Sequence, residues 1–94
     1  MQKHIKVSNM VSSSGNKVAN QFIIQTDDGI YFQSYDSIIA FKSNDYERSV
    51  ILDAHYWDYS VTTGRYRNIF LNETKKDTEL KIKSGEYKLT DLNW

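Results

Sequence analysis

Gln21-Phe22-Ile23-Ile24-Gln25-Thr26-Asp27-Asp28-Gly29-Ile30-Tyr31-Phe32-Gln33-Ser34-Tyr35 decides the fold class of this chain. Two runs rich in β-branched and aromatic residues flank a short Asp/Gly stretch, the pattern of a β-hairpin. A three-residue loop with Gly29 at the left-handed bulge position predicts Thr26 opposite Ile30, Ile24 opposite Phe32 and Phe22 opposite Ser34. That register places Phe22, Ile24, Ile30 and Phe32 on one face and Ile23, Gln25, Tyr31, Gln33 and Tyr35 on the other. A two-residue Asp28-Gly29 turn shifts the pairing by one and splits the apolar set, so the bulged turn is the expectation.

Working outward, Ser37 to Lys42 reads as a third strand, Ser43 to Glu47 as a polar loop and Arg48 to Leu52 as a fourth strand. Such short connections favour an antiparallel meander. Upstream, Lys3 to Val7 alternates as a half-buried strand does, and Ser12 to Lys17 reads as a flexible loop. Downstream, Thr62, Tyr66, Ile69 and Phe70 fall at the spacing of one helical face, with Ser60 as N-cap and Gly64 as a weak point. Thr74 with Asp77 opens a second helix that Gly85 closes, supported by Asp77 with Lys81 and Glu79 with Lys83. Its apolar stripe is narrow, so it belongs on the surface. Tyr87, Leu89, Leu92 and Trp94 form a tail that returns to the sheet as an edge strand or as packed coil. The expected fold is α+β, one domain over residues 1–94: an antiparallel meander of about four strands followed by two short helices packed on one face.

Composition narrows the function. The 94 residues hold no cysteine, so neither a disulfide nor a thiolate metal site supports the fold. Seven tyrosines, four phenylalanines and two tryptophans make large amphipathic rings a major part of the core-forming material. No apolar run approaches the ~20 residues of a membrane span, and the expected location is the cytoplasm. Twelve basic residues balance twelve acidic ones, which disfavours a protein held to nucleic acid by counterion release. The charge is uneven along the chain: residues 1–26 contain three lysines and no acid, and residues 27–63 contain seven acids against Lys42 and Arg48.

Four dispersed glycines exclude a phosphate-cradling loop, and neither His4 nor His55 stands in a metalloprotease pattern. The chain is therefore expected to be non-enzymatic, with no catalytic, metal-binding or cofactor-binding residues. The remaining enzymatic constellation is Asp53, His55 and Asp58, a cation or acid/base cluster in one reading and an acidic strand-to-helix loop in the other. The segment Tyr56 to Leu71 concentrates tyrosine, tryptophan and arginine, the types enriched at interface hot spots. Core packing is the expectation for Trp57, Tyr66 and Phe70. Candidate partner-binding residues are Tyr31, Tyr35, Tyr56, Tyr59, Arg65 and Arg67, with the two arginines about 200° apart on a helix.

Asn20 to Ile24, Gly29 with Tyr31 to Tyr35, Trp57 to Ser60, Thr62-Thr63 with Tyr66-Arg67, and Phe70-Leu71 together resemble a family of small uncharacterised proteins encoded by bacteriophages and plasmids. The similarity runs from about Lys6 to Leu92. It implies a genetic setting and no mechanism. In that setting the expected function is an accessory protein that binds a host or phage protein, for instance an inhibitor of a bacterial defence system such as CRISPR. The alternative is a single-stranded nucleic-acid binder using aromatic platforms with Lys75, Lys76, Lys81 and Lys83. A homodimer through an exposed edge strand is a further expectation.

Overall fold

The structure, a computed structural model, describes residues 4–45, 47 and 49–93. Strands β1 (Lys6–Val11), β2 (Lys17–Gln25), β3 (Gly29–Ser34), β4 (Ser37–Ser43), β5 (Val50–Asp53) and β6 (Tyr87–Thr90) form one sheet in that spatial order. Helices α1 (Val61–Leu71) and α2 (Lys75–Lys83) connect β5 to β6. The α+β class matches the sequence reading, but the sheet has six strands where about four were expected. β1 to β5 pair antiparallel through short turns, whereas β5 and β6 run parallel. A parallel return needs a crossover of a dozen residues or more, which the two helices supply. Lys3 of the expected upstream strand, Arg48 of the expected fourth strand and Trp94 of the tail lie outside the described residues.

The hairpin register differs from expectation by one residue. Gln25 lies opposite Ile30, Ile23 opposite Phe32 and Gln21 opposite Ser34, so the turn is Asp27-Asp28. Thr26 sets it: its amide donates to the Gly29 carbonyl at 2.8 Å, and its hydroxyl accepts from the amides of Asp28 and Gly29, each at 3.2 Å. A threonine hydroxyl thus does the work expected of a glycine bulge. The slip moves Phe22 and Ile24 to the face opposite Phe32.

Gly29 sits inside the ladder because the Lys42 carbonyl and the Phe41 ring leave no room for a side chain and its backbone is held at φ 156°. A β carbon there would collide with the Lys42 carbonyl oxygen and come within 2.7 Å of the Phe41 ring. Gly29→Ala is therefore expected to cost about 2 kcal/mol through overpacking, read as a lower midpoint in urea with an unchanged slope.

Phe32, Ala40 and Leu52 are fully buried on the face that receives the helices. Phe70 of α1 stacks beside Phe32 with ring centres 5.7 Å apart. Lys42 reaches over the Phe70 ring and donates to the Phe70 carbonyl at 2.8 Å, placing a cation at the C-terminal end of α1. Its burial there lowers the Lys42 pKa. Ser60 caps α1, its hydroxyl accepting from the Thr63 amide, and Thr74 with Asp77 forms a capping box on α2, both as the sequence predicts.

The buried face of α1 is rotated by one residue from the predicted one. Thr63, Arg67, Phe70 and Leu71 point inward, while Thr62 and Ile69 are exposed. The spacing was right and the starting residue wrong, because an arginine occupies a core position. On α2, Lys81 pairs with Glu73 at 2.8 Å rather than with Asp77.

Candidate functional site

The end of the sheet where β3 turns into β4 gathers most of the candidate residues. Ser34, the last residue of β3, bonds Thr63 of α1 through their hydroxyls at 2.9 Å, fully buried. Ser60 donates to the same Thr63 hydroxyl at 3.1 Å. This chain of three hydroxyls fixes the residues next to it: Tyr35 follows Ser34, and Tyr59 precedes Ser60. Tyr56 meets Tyr59 edge-to-face with ring centres 5.5 Å apart, and His55 stands beside Tyr56. Tyr35 is 48%, Tyr59 58% and Val61 82% exposed. Arg65 is also exposed, one helical turn beyond Val61.

Tyr35 is held at φ 54°, in the left-handed region that glycine and asparagine favour. Its amide donates to the Asn20 carbonyl at 2.7 Å, and its own carbonyl accepts from the Gln33 side chain at 2.7 Å. Asn20, at φ 66°, shares the conformation, so two left-handed residues brace one another across β2 and β3.

Two other candidates lie elsewhere. Tyr31 is on the sheet face away from the helices, stacked on Phe41 with ring centres 4.5 Å apart. Arg67, expected as a contact residue, is 1% exposed. Its Nη1 donates to the Trp57 carbonyl at 2.7 Å and to Asp58 at 3.3 Å, and its Nη2 donates to Asn68 at 3.0 Å. The guanidinium also lies over the Trp57 ring, 5.2 Å from its centre. Arg67 therefore holds the 57–58 segment against α1 from inside.

The alternative centre of Asp53, His55 and Asp58 is divided between two structural tasks. Asp53 is fully buried; one carboxylate oxygen accepts from the amides of His55 at 3.0 Å and Tyr56 at 2.8 Å. The other accepts from the Leu92 amide at 2.7 Å and the Asn93 side chain at 3.0 Å. Burial raises its pKa, but the four hydrogen bonds outweigh it and hold the group below the ordinary carboxylate value. Asp58 is likewise lowered, burial being outweighed by Lys75 at 2.7 Å and by Arg67. Among the described residues no group of three His, Cys, Asp or Glu side chains comes together as a metal site.

Of the lysines considered for nucleic acid, Lys75 is tied to Asp58 and Lys81 to Glu73. Glu73 also accepts from Thr78 at 2.6 Å and from the Tyr87 hydroxyl at 2.8 Å, joining α2 to β6. Burial, with this carboxylate beside it, pushes the Tyr87 hydroxyl up to about 12. Sequence reasoning missed this hub because Glu73 precedes α2 and looks like an ordinary polar linker residue.

The fold is a two-layer α+β protein that presents exposed Tyr35 and Tyr59 at one end, with Tyr56 packed between Tyr59 and the core, and no described helix is long and apolar enough to cross a membrane. A family model described as Family of unknown function (DUF8033) matches residues 5–87, and the chain belongs to that family. No curated protein and no solved structure matches the chain significantly.

Proposed function

We propose that this chain is a non-catalytic accessory protein that acts by binding another protein, using the end formed by Tyr35, Tyr56, Tyr59 and Arg65. The observation that carries this reading is the backbone of Tyr35. An aromatic residue at left-handed φ costs about 1 kcal/mol or more, and strain of this kind concentrates at functional positions. Here it is borne by a ring with nearly half of its surface in solvent. The Tyr56–Tyr59 pair at the same end of the sheet, with exposed Arg65 on α1, supplies the side-chain types that anchor interfaces. The resemblance to phage and plasmid proteins supports a host or phage protein as the partner, with a bacterial defence protein such as a CRISPR effector as the first candidate and the host cytoplasm as the place of action.

Tyr35→Asn separates binding from folding. It is expected to raise the melting temperature by roughly 4–8 °C, the effect of relieving about 1 kcal/mol in a domain of this size, while abolishing capture of the partner. Tyr59→Ala is expected to leave the melting temperature nearly unchanged and also abolish capture. The experiment recovers tagged wild type and both variants from host lysate, with and without nuclease. Nucleic acid recovered alone and lost on nuclease treatment, or a partner held equally by all three proteins, overturns the reading.

A further inference from the structure

β5 is too short to cover the whole of β4. It pairs with Ala40, Phe41 and Lys42, so Ile38 has no strand residue of β5 opposite it. The tail after β6 supplies a substitute. β6 ends with Thr90 beside Asp53, the last residue of β5, and the Ala54 amide donates to the Thr90 carbonyl at 2.9 Å. Because β5 lies between β4 and β6, the tail passes the end of β5 to bring Asn93 to Ile38.

There the Ile38 amide donates to Asn93 Oδ1 at 2.7 Å, and Asn93 Nδ2 donates to the Ile38 carbonyl at 2.8 Å. A carboxamide carries the donor and acceptor of a peptide group, so this exchange of two hydrogen bonds reproduces the pairing that a facing strand residue makes. Nδ2 has a second hydrogen, and it goes to Asp53 Oδ1 at 3.0 Å. The other oxygen of Asp53 accepts from the Tyr56 amide at 2.8 Å.

Asn93 therefore stands between the two halves of the tyrosine end. Through Ile38 it holds the start of β4, three residues after Tyr35, and through Asp53 it reaches the backbone of Tyr56. The turn at Tyr35 and Asp36 is fixed on both sides, by Thr63 at Ser34 and by Asn93 at Ile38. The position asks for one acceptor facing an N–H group and two donors facing a carbonyl and a carboxylate, the inventory of an asparagine side chain.

We infer that Asn93 is a positioning residue for the tyrosine end: its carboxamide latches the tail onto Ile38 and Asp53 and so couples the Tyr35 turn to the Tyr56 loop. The inference deepens the function proposed above and rests on its reading of that end as the contact surface. It makes the tail a control point, since displacing residues 91–93 loosens the backbones of Tyr35 and Tyr56 together.

Residue-resolved amide hydrogen exchange on the isolated full chain tests it, comparing wild type with Asn93→Ala and Asn93→Asp. Alanine removes all three hydrogen bonds of the side chain. Aspartate keeps the shape and the acceptor for the Ile38 amide, but turns an oxygen toward the Ile38 carbonyl and the Asp53 carboxylate. In both variants the Tyr35, Ile38 and Tyr56 amides are expected to exchange about tenfold faster or more. The Thr26 amide, bonded to the Gly29 carbonyl in the turn at the opposite end of the sheet, keeps its wild-type rate. Circular dichroism checks that each variant folds, and if Asn93→Ala does not, Asn93→Asp decides alone. Faster exchange at Ile38 with Tyr35 and Tyr56 unchanged overturns the inference, because the latch then holds only the tail. Equal acceleration at Thr26 overturns it as well, making Asn93 a general stabiliser of the sheet. Failure of wild type to capture a partner would strike the proposed function and leave these rates as they are.

Discussion

Asp53→Ala is expected to lower stability by about 3–4 kcal/mol, a fall of roughly 12–30 °C in melting temperature for a domain of this size. The carboxylate is fully buried and accepts four hydrogen bonds, two from the start of the β5–α1 loop and two from the tail after β6. Removing it leaves the amides of His55, Tyr56 and Leu92 without an acceptor. It also frees Asn93, which otherwise brackets Ile38 through its carbonyl at 2.7 Å and its amide at 2.8 Å. Asp53→Asn should lose nearly as much, because one oxygen is replaced by a donor facing donors.

The pH dependence has a definite sign. Asp53, Asp58 and Glu73 all have folded-state pKa values below their ordinary ones. Groups depressed in this way contribute stability that is present above the unfolded-state pKa, near 4, and lost as pH falls through the folded-state value. Wild type should therefore lose melting temperature on acidification below about pH 4, and Asp53→Ala should show a shallower acid slope because one of the three contributors is gone. Thermal melts of the two proteins across that range check it; parallel slopes would remove Asp53 from the account.

Arg67→Ala is expected to cost about 3 kcal/mol, against less than about 0.5 kcal/mol for Arg65→Ala two positions away. The difference follows from burial. Arg67 is 1% exposed and serves the Trp57 carbonyl, Asp58 and Asn68 at once, so truncation removes packing beneath Trp57 and leaves the carbonyl unpaired. Arg67→Lys should recover only part of the loss, since an ammonium cannot reproduce the planar fork across the three acceptors. Arg65 is exposed on the outer side of α1. Chemical denaturation of the three variants decides the matter, and a small loss for Arg67→Ala would return that residue to the surface candidates.

Local chemistry was legible in the residues. The Ser60 cap reaches only to Thr63, and the Thr74–Asp77 box closes within one turn, so both could be read from spacing. The hairpin itself, the following strands and the two helices also follow from period and turn residues. Tyr35 follows as a contact candidate from the hairpin pattern and Tyr59 from its aromatic and basic segment, and both are exposed.

What only the tertiary structure decided depends on contacts between distant residues. The hairpin slipped by one because the Thr26 hydroxyl closes an Asp27-Asp28 turn and the Phe41 ring lies on Gly29, a contact made by a later strand. The inward face of α1 shifted by one because Arg67 finds three acceptors around Trp57, and no hydrophobic pattern places an arginine in a core. The tail returns as the edge strand β6, one of its two expected forms, but its parallel pairing with β5 joins residues more than thirty apart and is invisible to local periodicity. The tyrosine end exists because Ser34 meets Thr63 at 29 residues' separation. Short-range geometry is written in neighbouring residues; the choice of which buried polar group satisfies which other is made only when the whole chain is packed.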